Sequence, residues 1–306
     1  MDSLLFLEQS LNGLQFGLML FLLAAGLTLV FGIMDMINLA HGSLYMIGAY
    51  LTATLTQATG SFLLAVPVAL VATAVVGMLL EISILRRLYQ RDHLAQVLAT
   101  FALILILNET TRIVWGVQPI MFNLPPALSG SVQILPGLSY PLFRLVIIGV
   151  GLSVALFLYI LVARTRTGML IRAGASNRVM ATAMGVNIRH LFTLVFGLGA
   201  ALCALAGAML GSLLSVQVGM GESILILAFV VVVIGGIGSI RGALVGAILV
   251  GIVDTFGRAF LPQILRLVLP SAMADVLGPS LASISIYLLM AAVLFWKPQG
   301  LFPSRG

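Results

Sequence analysis

Charge is the scarcest property of this sequence. Only 8% of its 306 residues are Asp, Glu, Lys or Arg, whereas 61% are hydrophobic. An ordinary soluble domain carries about 25% charged residues. No Lys or Arg occurs between Met1 and Leu85. A chain with so little charge cannot cover its surface with polar groups, so we expect lipid to solvate most of it.

Cysteine and lysine each occur once, which excludes several kinds of site. Cys203 lies in an apolar run and has no second cysteine to pair with, so we expect a packing thiol rather than a disulfide or a multi-cysteine metal site. The single lysine, Lys297, is followed by Pro298, so the Gly-Lys-Ser/Thr phosphate-binding motif is absent. We therefore expect this chain to bind no metal and no cofactor, and any ATP to be bound by another subunit.

Enzymatic and nucleic-acid functions have no support in the sequence. The sequence shows no Ser-His-Asp arrangement and no paired carboxylates within an apolar run, so nothing in it suggests catalysis. The net charge is +6, but the basic residues lie at the ends of apolar runs and form no clustered basic face of the kind that binds nucleic acid. We expect a membrane protein that is not an enzyme.

Apolar runs of about 18 residues or more are long enough to cross a hydrocarbon core of about 30 Å. They predict an all-α polytopic protein, with residues 1–306 forming a single transmembrane domain. Nine helices are predicted, at approximately 11–31, 42–58, 62–85, 95–115, 141–163, 190–212, 222–235, 243–260 and 281–297.

Basic residues predict the orientation, because short cytoplasmic loops are enriched in Lys and Arg. Placing eleven of the fifteen basic residues inside puts the N-terminus outside and the C-terminus inside. Among the four that remain outside, Arg112 and Arg258 are spaced to pair with Glu109 and Asp254 along a helix. The proline-rich segment 116–140 is then the main external loop. A four-plus-one-plus-four arrangement of helices would permit an inverted repeat.

A polar interruption separates the first two predicted helices. Asn38, His41 and Gly42 lie there among apolar residues, and polar groups at membrane depth usually face a cavity or a partner. These three residues are candidates for the translocation path or a gate. The alternative is a short cytoplasmic turn capped by the Asn.

A second break is rich in glycine. Gly235, Gly236, Gly238 and Gly242 fall within eight residues, and glycine permits backbone conformations and close helix contacts that side chains forbid. A broken helix lining the path and a plain tight turn beside Arg241 are both consistent with this pattern.

An arginine-containing island of small residues, at 164–190, lies between two long apolar runs. Ser176 or Asn177 can cap a short helix that Gly185 ends. The helix would carry an apolar knob flanked by Arg172, Arg178 and Arg189, suited to a groove on a partner protein; resting on anionic lipid is the alternative. The candidate residues of this partner-docking segment are Arg172, Asn177, Arg178, Met180, Ala183, Met184 and Gly185.

The stretches Gly26–Ile33 and Ile37–Tyr50 resemble the H-type permease subunits of branched-chain amino acid ABC transporters. Residues Arg164–Gly185 and Val233–Gly251 resemble the same family. The resemblance implies a bacterial inner-membrane subunit that works with a second permease, two cytoplasmic ATPases and a periplasmic substrate-binding protein. It also implies that Arg172–Gly185 holds the ATPase-coupling helix and that the Asn38–Gly42 region lies near the path.

The function expected is therefore ATP-driven import of branched-chain or related amino acids, with this chain forming half of the path. Related permeases carry urea or short amides, so the substrate stays open. A competing hypothesis is an ion-coupled secondary transporter, in which Asp35 or Glu222 would carry the proton or cation.

Overall fold

The computed structural model describes residues 3–36, 38–122 and 124–302. Within them the chain forms α-helices joined by short connections, with a 3-10 turn at Leu85–Arg87. The helices are α1 Ser3–Met34, α2 His41–Thr59, α3 Phe62–Ser83, α4 His93–Trp115, α5 Leu142–Arg164, α6 Arg166–Ser176, α7 Arg178–Ala183, α8 Ile188–Gly211, α9 Met220–Gly235, α10 Ile240–Leu265 and α11 Ser271–Trp296.

The all-α polytopic prediction is confirmed, since every predicted segment is helical. Among the described residues, seven helices are long and apolar enough to cross a membrane: α1, α3, α4, α5, α8, α10 and α11. The other two predicted spans correspond to α2, which is more polar, and α9, which has 16 residues. Two boundaries were placed wrongly: α1 begins at Ser3 rather than near 11, and α11 begins at Ser271 rather than near 281.

The centre of the molecule is built from α1, α2 and α8. The apolar windows of α1 and α8 are 83% and 78% buried, compared with 22% for α3, α4 and α11. Small residues let the central helices approach closely, because a Cβ on Gly48 of α2 would lie 2.3 Å from the Cα of Ala204 in α8. Outer helices keep apolar side chains on their free faces, as lipid contact requires.

The proline-rich segment holds the only strands in the described residues. Ser131–Leu135 (β1) pairs antiparallel with Leu138–Pro141 (β2) across a two-residue turn in which Gly137 has φ +90°. The prolines of this segment disfavour a helix, but a hairpin can contain proline in its turn and at the ends of its strands. Tyr140 of β2 is buried and donates a hydrogen bond of 3.0 Å to Oδ1 of Asn12, which ties the hairpin to α1. The segment predicted as a loop therefore contains two strands.

Both predicted helical ion pairs are confirmed. Arg112 lies 2.9 Å from Glu109, and Arg258 lies 2.8 Å from Asp254. They belong to the ends of α4 and α10 that lie away from the arginine island. Charge at that end is thus partly neutralised within the chain.

Candidate coupling surface and translocation gate

The arginine island folds into two short helices with side-chain caps. Thr165 Oγ1 accepts a hydrogen bond of 3.1 Å from the backbone N of Gly168 at the start of α6. Asn177 Oδ1 accepts one of 2.9 Å from the N of Met180 at the start of α7, which selects Asn177 rather than Ser176 as the cap. Asn187 does the same for α8. Capping satisfies amides that a short helix leaves unpaired, so these hydrogen bonds within the chain stabilise the starts of α6, α7 and α8.

The apolar knob predicted on this helix is present at the surface. Val179, Met180 and Met184 are 81%, 60% and 80% exposed, and Ala183 beside them is exposed as well. Gly185 follows with φ +87°, a conformation that favours glycine and ends α7. We call Val179, Met180 and Met184 the coupling surface. Exposed methionines on a short rigid helix suit a hydrophobic groove on another protein.

Arg178 lies on the inner side of α7 rather than beside the coupling surface. It is half-buried, and its Nε donates a hydrogen bond of 3.1 Å to the carbonyl oxygen of Ile33 in the last turn of α1. Its guanidinium carbon lies 5.5 Å from the centre of the Phe192 ring in α8. The carbonyls that end a helix lack partners and carry partial negative charge, which favours a cation there. Arg178 thus links α7 to the ends of α1 and α8.

A buried carboxylate stabilises the neighbouring helix ends. Phe192 packs edge to face on Tyr89 at 5.3 Å, and Tyr89 donates a hydrogen bond of 2.8 Å to Glu81 Oε1. Thr193 donates to Glu81 Oε2 at 2.7 Å, and Arg86 lies 2.9 Å from the same oxygen. Burial, and then the charge of Glu81, raises the pKa of Tyr89, so this phenol remains a donor.

These four residues, Glu81, Arg86, Tyr89 and Thr193, form what we call the carboxylate cluster. Sequence analysis did not single out Glu81, although it is the only acidic residue in its apolar run. Its side chain has no solvent exposure. A buried charge is stable only when paired and hydrogen-bonded, as it is here.

The candidate residues in the polar interruption between α1 and α2 are buried. Asn38 and His41 have no solvent exposure, and Asn38 Oδ1 accepts a hydrogen bond of 3.0 Å from the N of Ala40. His41 Nε2 lies 3.0 Å from the sulfur of Cys203 in α8, so this thiol has a polar partner as well as packing contacts. Asp35, with φ +48°, ends α1 in a conformation that few residues other than glycine adopt.

Gly42 shows how closely the backbone surrounds this interruption. A Cβ on Gly42 would lie 2.3 Å from the carbonyl oxygen of Gly221 in α9. A Cβ on Gly26 of α1 would lie 3.0 Å from His41 Nε2, and one on Gly199 of α8 would lie 3.3 Å from the same ring. We call Asn38, His41 and Gly42 the polar junction. Helices α1, α2, α8 and α9 meet there, and a glycine on each of them allows the close approach.

The glycine-rich break is a tight turn between α9 and α10. Gly236 and Gly238 have φ of +101° and +80°, and a Cβ on Gly235 would lie 2.3 Å from the backbone of Gly242. The chain end docks on this turn, since the N of Leu301 donates to the carbonyl of Ile234 at 2.9 Å. The geometry favours the tight-turn interpretation over an unwound helix.

The residues suggested for ion coupling do not form a buried site. Glu222 is exposed and accepts a hydrogen bond of 2.6 Å from Asn108, and Asp35 is exposed at the end of α1. Within the described residues, no group of three His, Cys, Asp or Glu side chains could hold a metal ion.

Comparison with known proteins identifies the chain's family. A family model described as the permease component of the branched-chain amino acid transport system matches residues 9–294. The chain belongs to this family. It is therefore a multi-pass membrane permease subunit of a transport system and not an enzyme.

Curated relatives cover most of this permease. It is 30% identical to the high-affinity branched-chain amino acid transport system permease protein BraD of Pseudomonas aeruginosa, over 97% of this chain and 95% of the relative. It is 32% identical to the corresponding LivH protein of Escherichia coli over 84% and 88%, respectively. The E. coli permease protein LivM is 27% identical over 92% of this chain and 67% of its own length. No solved structure matches the permease.

Proposed function

We propose that this permease forms half of the translocation path of an ATP-driven importer of branched-chain or related amino acids. The transport systems named for BraD and LivH support that substrate class, with urea or short amides as the alternative. The chain itself would bind no cofactor, because it lacks a nucleotide-binding motif. ATP would act through partner subunits.

The proposed complex contains a second permease, two cytoplasmic ATPases and a periplasmic substrate-binding protein. The match to LivM supports a permease pair of similar chains. We place the complex in the bacterial inner membrane, with residues 1–306 as one transmembrane domain in contact with lipid and not with nucleic acid. A multi-component transport system accounts for the exposed coupling surface better than a transporter that acts alone.

We further propose nine crossings, with the N-terminus outside and the C-terminus inside. The 19 residues of α2 and the 16 of α9 would span about 28 Å and 24 Å at 1.5 Å per residue, close to the hydrocarbon thickness. Counting them as crossings places the ends of α1, α3, α5, α9 and α11 on one face together with α7. The contacts of Arg178 and of the carboxylate cluster, which join those ends, support this arrangement.

The coupling role of α7 depends mainly on one observation: an ordered helix exposes apolar side chains on one side and bonds to α1 on the other. A partner ATPase that grips Val179, Met180 and Met184 would move Arg178 with them. Arg178 donates to Ile33, five residues before Asn38, so the motion would reach the polar junction. We propose that Arg172, Asn177, Ala183 and Gly185 maintain the shape of α6 and α7, through which this motion would pass.

The remaining candidate residues would line or gate the path. Asn38, His41 and Gly42 lie where α1 meets α2, and we propose that a shift of α1 opens their enclosed contacts. Gly235, Gly236 and Gly238 would act as the hinge between α9 and α10. The positive φ values of Gly236 and Gly238 and the backbone contact of Gly235 with Gly242 support a turn whose shape tolerates no side chain.

The test is Met184→Asp in the complete transporter reconstituted in vesicles with ATP inside and leucine outside. A charge on the coupling surface should reduce leucine uptake at least about ten-fold, while the ATPases still hydrolyse ATP. Leu267→Asp is the matched control, because Leu267 is 84% exposed at the opposite end of the molecule and Met184 is 80% exposed. Normal uptake by Met184→Asp would contradict the coupling role. Uptake by the permease alone, driven by an ion gradient, would contradict the ATP-driven function.

A further inference from the structure

A groove runs along the side of the permease between α1, α5, α6 and α10. Its volume is about 1030 Å³. Its walls are mainly apolar, and α1 and α5 provide half of the lining residues, among them Phe21, Leu29, Ile33, Leu158 and Val162. No function described above uses this groove.

Two arginines lie at one end of the groove. Arg172 of α6 donates a hydrogen bond to the carbonyl oxygen of Val162, and the guanidinium carbon of Arg241 lies 5.3 Å from the centre of the Tyr159 ring. Among the described residues, neither arginine has a carboxylate within salt-bridge distance, unlike Arg86, Arg112, Arg258 and Arg266. Arg241 also belongs to the first turn of α10, where the helix dipole favours an anion. This end of the groove therefore carries positive charge that the described chain does not neutralise.

The length of the groove matches one leaflet of a bilayer. Its wall on α1 runs from Phe21 to Ile33, twelve residue steps apart. That is about 18 Å at 1.5 Å per residue, and half of a hydrocarbon core of about 30 Å is about 15 Å. The arginines are at the end near the last turn of α1. In the proposed nine-crossing arrangement, on which this step rests, the headgroups of the cytoplasmic leaflet would lie at that end. One turn deeper than Gly32, the buried hydroxyl of Thr28 lines the groove and has no hydrogen-bond partner among the described residues.

We propose that the groove binds one anionic phospholipid, such as phosphatidylglycerol. Its phosphate lies between Arg172 and Arg241, an ester oxygen accepts the hydrogen bond of Thr28, and an acyl chain fills the apolar part. Basic pockets between membrane helices bind anionic headgroups in this way. The lipid would hold α6 against α1 and α10, so it would steady the segment that leads into α7.

Charge favours a lipid over a protein segment or the transported solute as the occupant. An apolar helix from a second permease would leave both guanidiniums without an anion. A single amino acid would fill only a small part of 1030 Å³. A phospholipid satisfies the arginines, the hydroxyl and the apolar length together.

The experiment is native mass spectrometry of the purified complete transporter, incubated with phosphatidylglycerol and phosphatidylcholine of identical acyl chains. The wild type should retain one phosphatidylglycerol in preference to phosphatidylcholine. Each arginine near an anionic lipid contributes about a five-fold change in affinity, so Arg172→Ala with Arg241→Ala should weaken retention by about 30-fold. Arg87→Ala is the control, because Arg87 is exposed at the same face and does not line the groove. It should keep the lipid.

A second variant tests the apolar part with both arginines in place. Ala155 lines the groove, so Ala155→Trp should reduce phosphatidylglycerol retention even if the arginine variants fail to assemble. Equal retention by wild type and Ala155→Trp, or equal loss in Arg87→Ala, would overturn the proposal. Displacement of the lipid by leucine, or a crosslink from Ala155→Cys to the second permease, would also overturn it. None of these outcomes depends on whether α7 couples to an ATPase.

Discussion

The coupling surface and the polar junction are the two places where this apolar chain departs from a simple bundle of spans, and they have opposite surroundings. Met184 is 80% exposed, whereas His41 has no exposure at all. Arg178 connects the two regions, because its side chain donates a hydrogen bond from α7 to Ile33 near the end of α1. The difference matches the two roles proposed above: one region is accessible to a partner protein, and the other is enclosed by neighbouring helices.

This comparison predicts very different responses to substitution. In the polar junction the backbones of neighbouring helices are in contact, so side-chain atoms added there should lower the stability of the fold. The coupling surface has open space around it, so substitutions there should spare the fold and change only the interaction with a partner. Four experiments test the contacts in and between these two regions, including the carboxylate cluster beside them, from the largest expected effect to the smallest.

Glu81→Ala should have the largest effect on stability. It removes the carboxylate that Arg86, Tyr89 and Thr193 share, and breaking a buried ion pair typically costs about 3–5 kcal/mol. Because Arg86 is 32% exposed, we expect the lower part of that range. Thermal unfolding in detergent measures it, with Glu109→Ala, which removes an exposed pair, as the control. Equal melting temperatures for the two variants would show that the carboxylate cluster is not structural.

Gly42→Val should destabilise the polar junction severely. Its Cβ would lie 2.3 Å from the carbonyl oxygen of Gly221, and overpacking typically costs about 1–3 kcal/mol. Gly149→Val is the matched control, since a Cβ there meets nothing within 4 Å. The yield of monodisperse protein should fall for Gly42→Val alone. If both variants behave alike, α2 and α9 are not in tight contact.

Arg178→Gln should separate the two regions while leaving both folded. The amide can keep one hydrogen bond to Ile33 but not the stacking on Phe192, so we expect leucine uptake per ATP hydrolysed to fall several-fold. Arg178→Lys, which keeps the charge, should recover part of the coupling. Arg189→Gln, at an exposed position on α8, is the control. If Arg178→Gln leaves coupling unchanged while Met184→Asp is uncoupled, then Arg178 does not transmit the motion. The role proposed for the coupling surface would still hold.

Asn177→Ala should have the smallest effect. Loss of an N-cap typically costs about 1 kcal/mol, and only the start of α7 would respond. Hydrogen exchange of the amides after 178 should become several-fold faster, with no change in overall melting temperature. Ser176→Ala serves as the control, because Asn177 and not Ser176 caps α7. Faster exchange in the control would show that α7 frays for another reason.

Sequence patterns predicted the helical segments and the exposed apolar residues of α7 well, because both depend on local information. Apolar runs identified nine segments that are helical in the structure, and the capping residues at 176–177 identified the start of α7. The hairpin at Ser131–Pro141 was missed, because proline density excludes a helix but does not predict which strands pair. The carboxylate cluster was missed for a related reason: Glu81 and Thr193 lie 112 positions apart, and only packing brings them together.

The sequence by itself determined that the chain is a multi-pass membrane protein, because too little charge forces burial in lipid. It also determined the family, through motifs spread along most of the chain. Only the tertiary structure decided that Arg178 lies inward on α1, that His41 meets Cys203, and that Arg172 and Arg241 share one groove. Each of these pairs is distant in sequence, and contacts between separate helices depend on how those helices pack rather than on any local pattern.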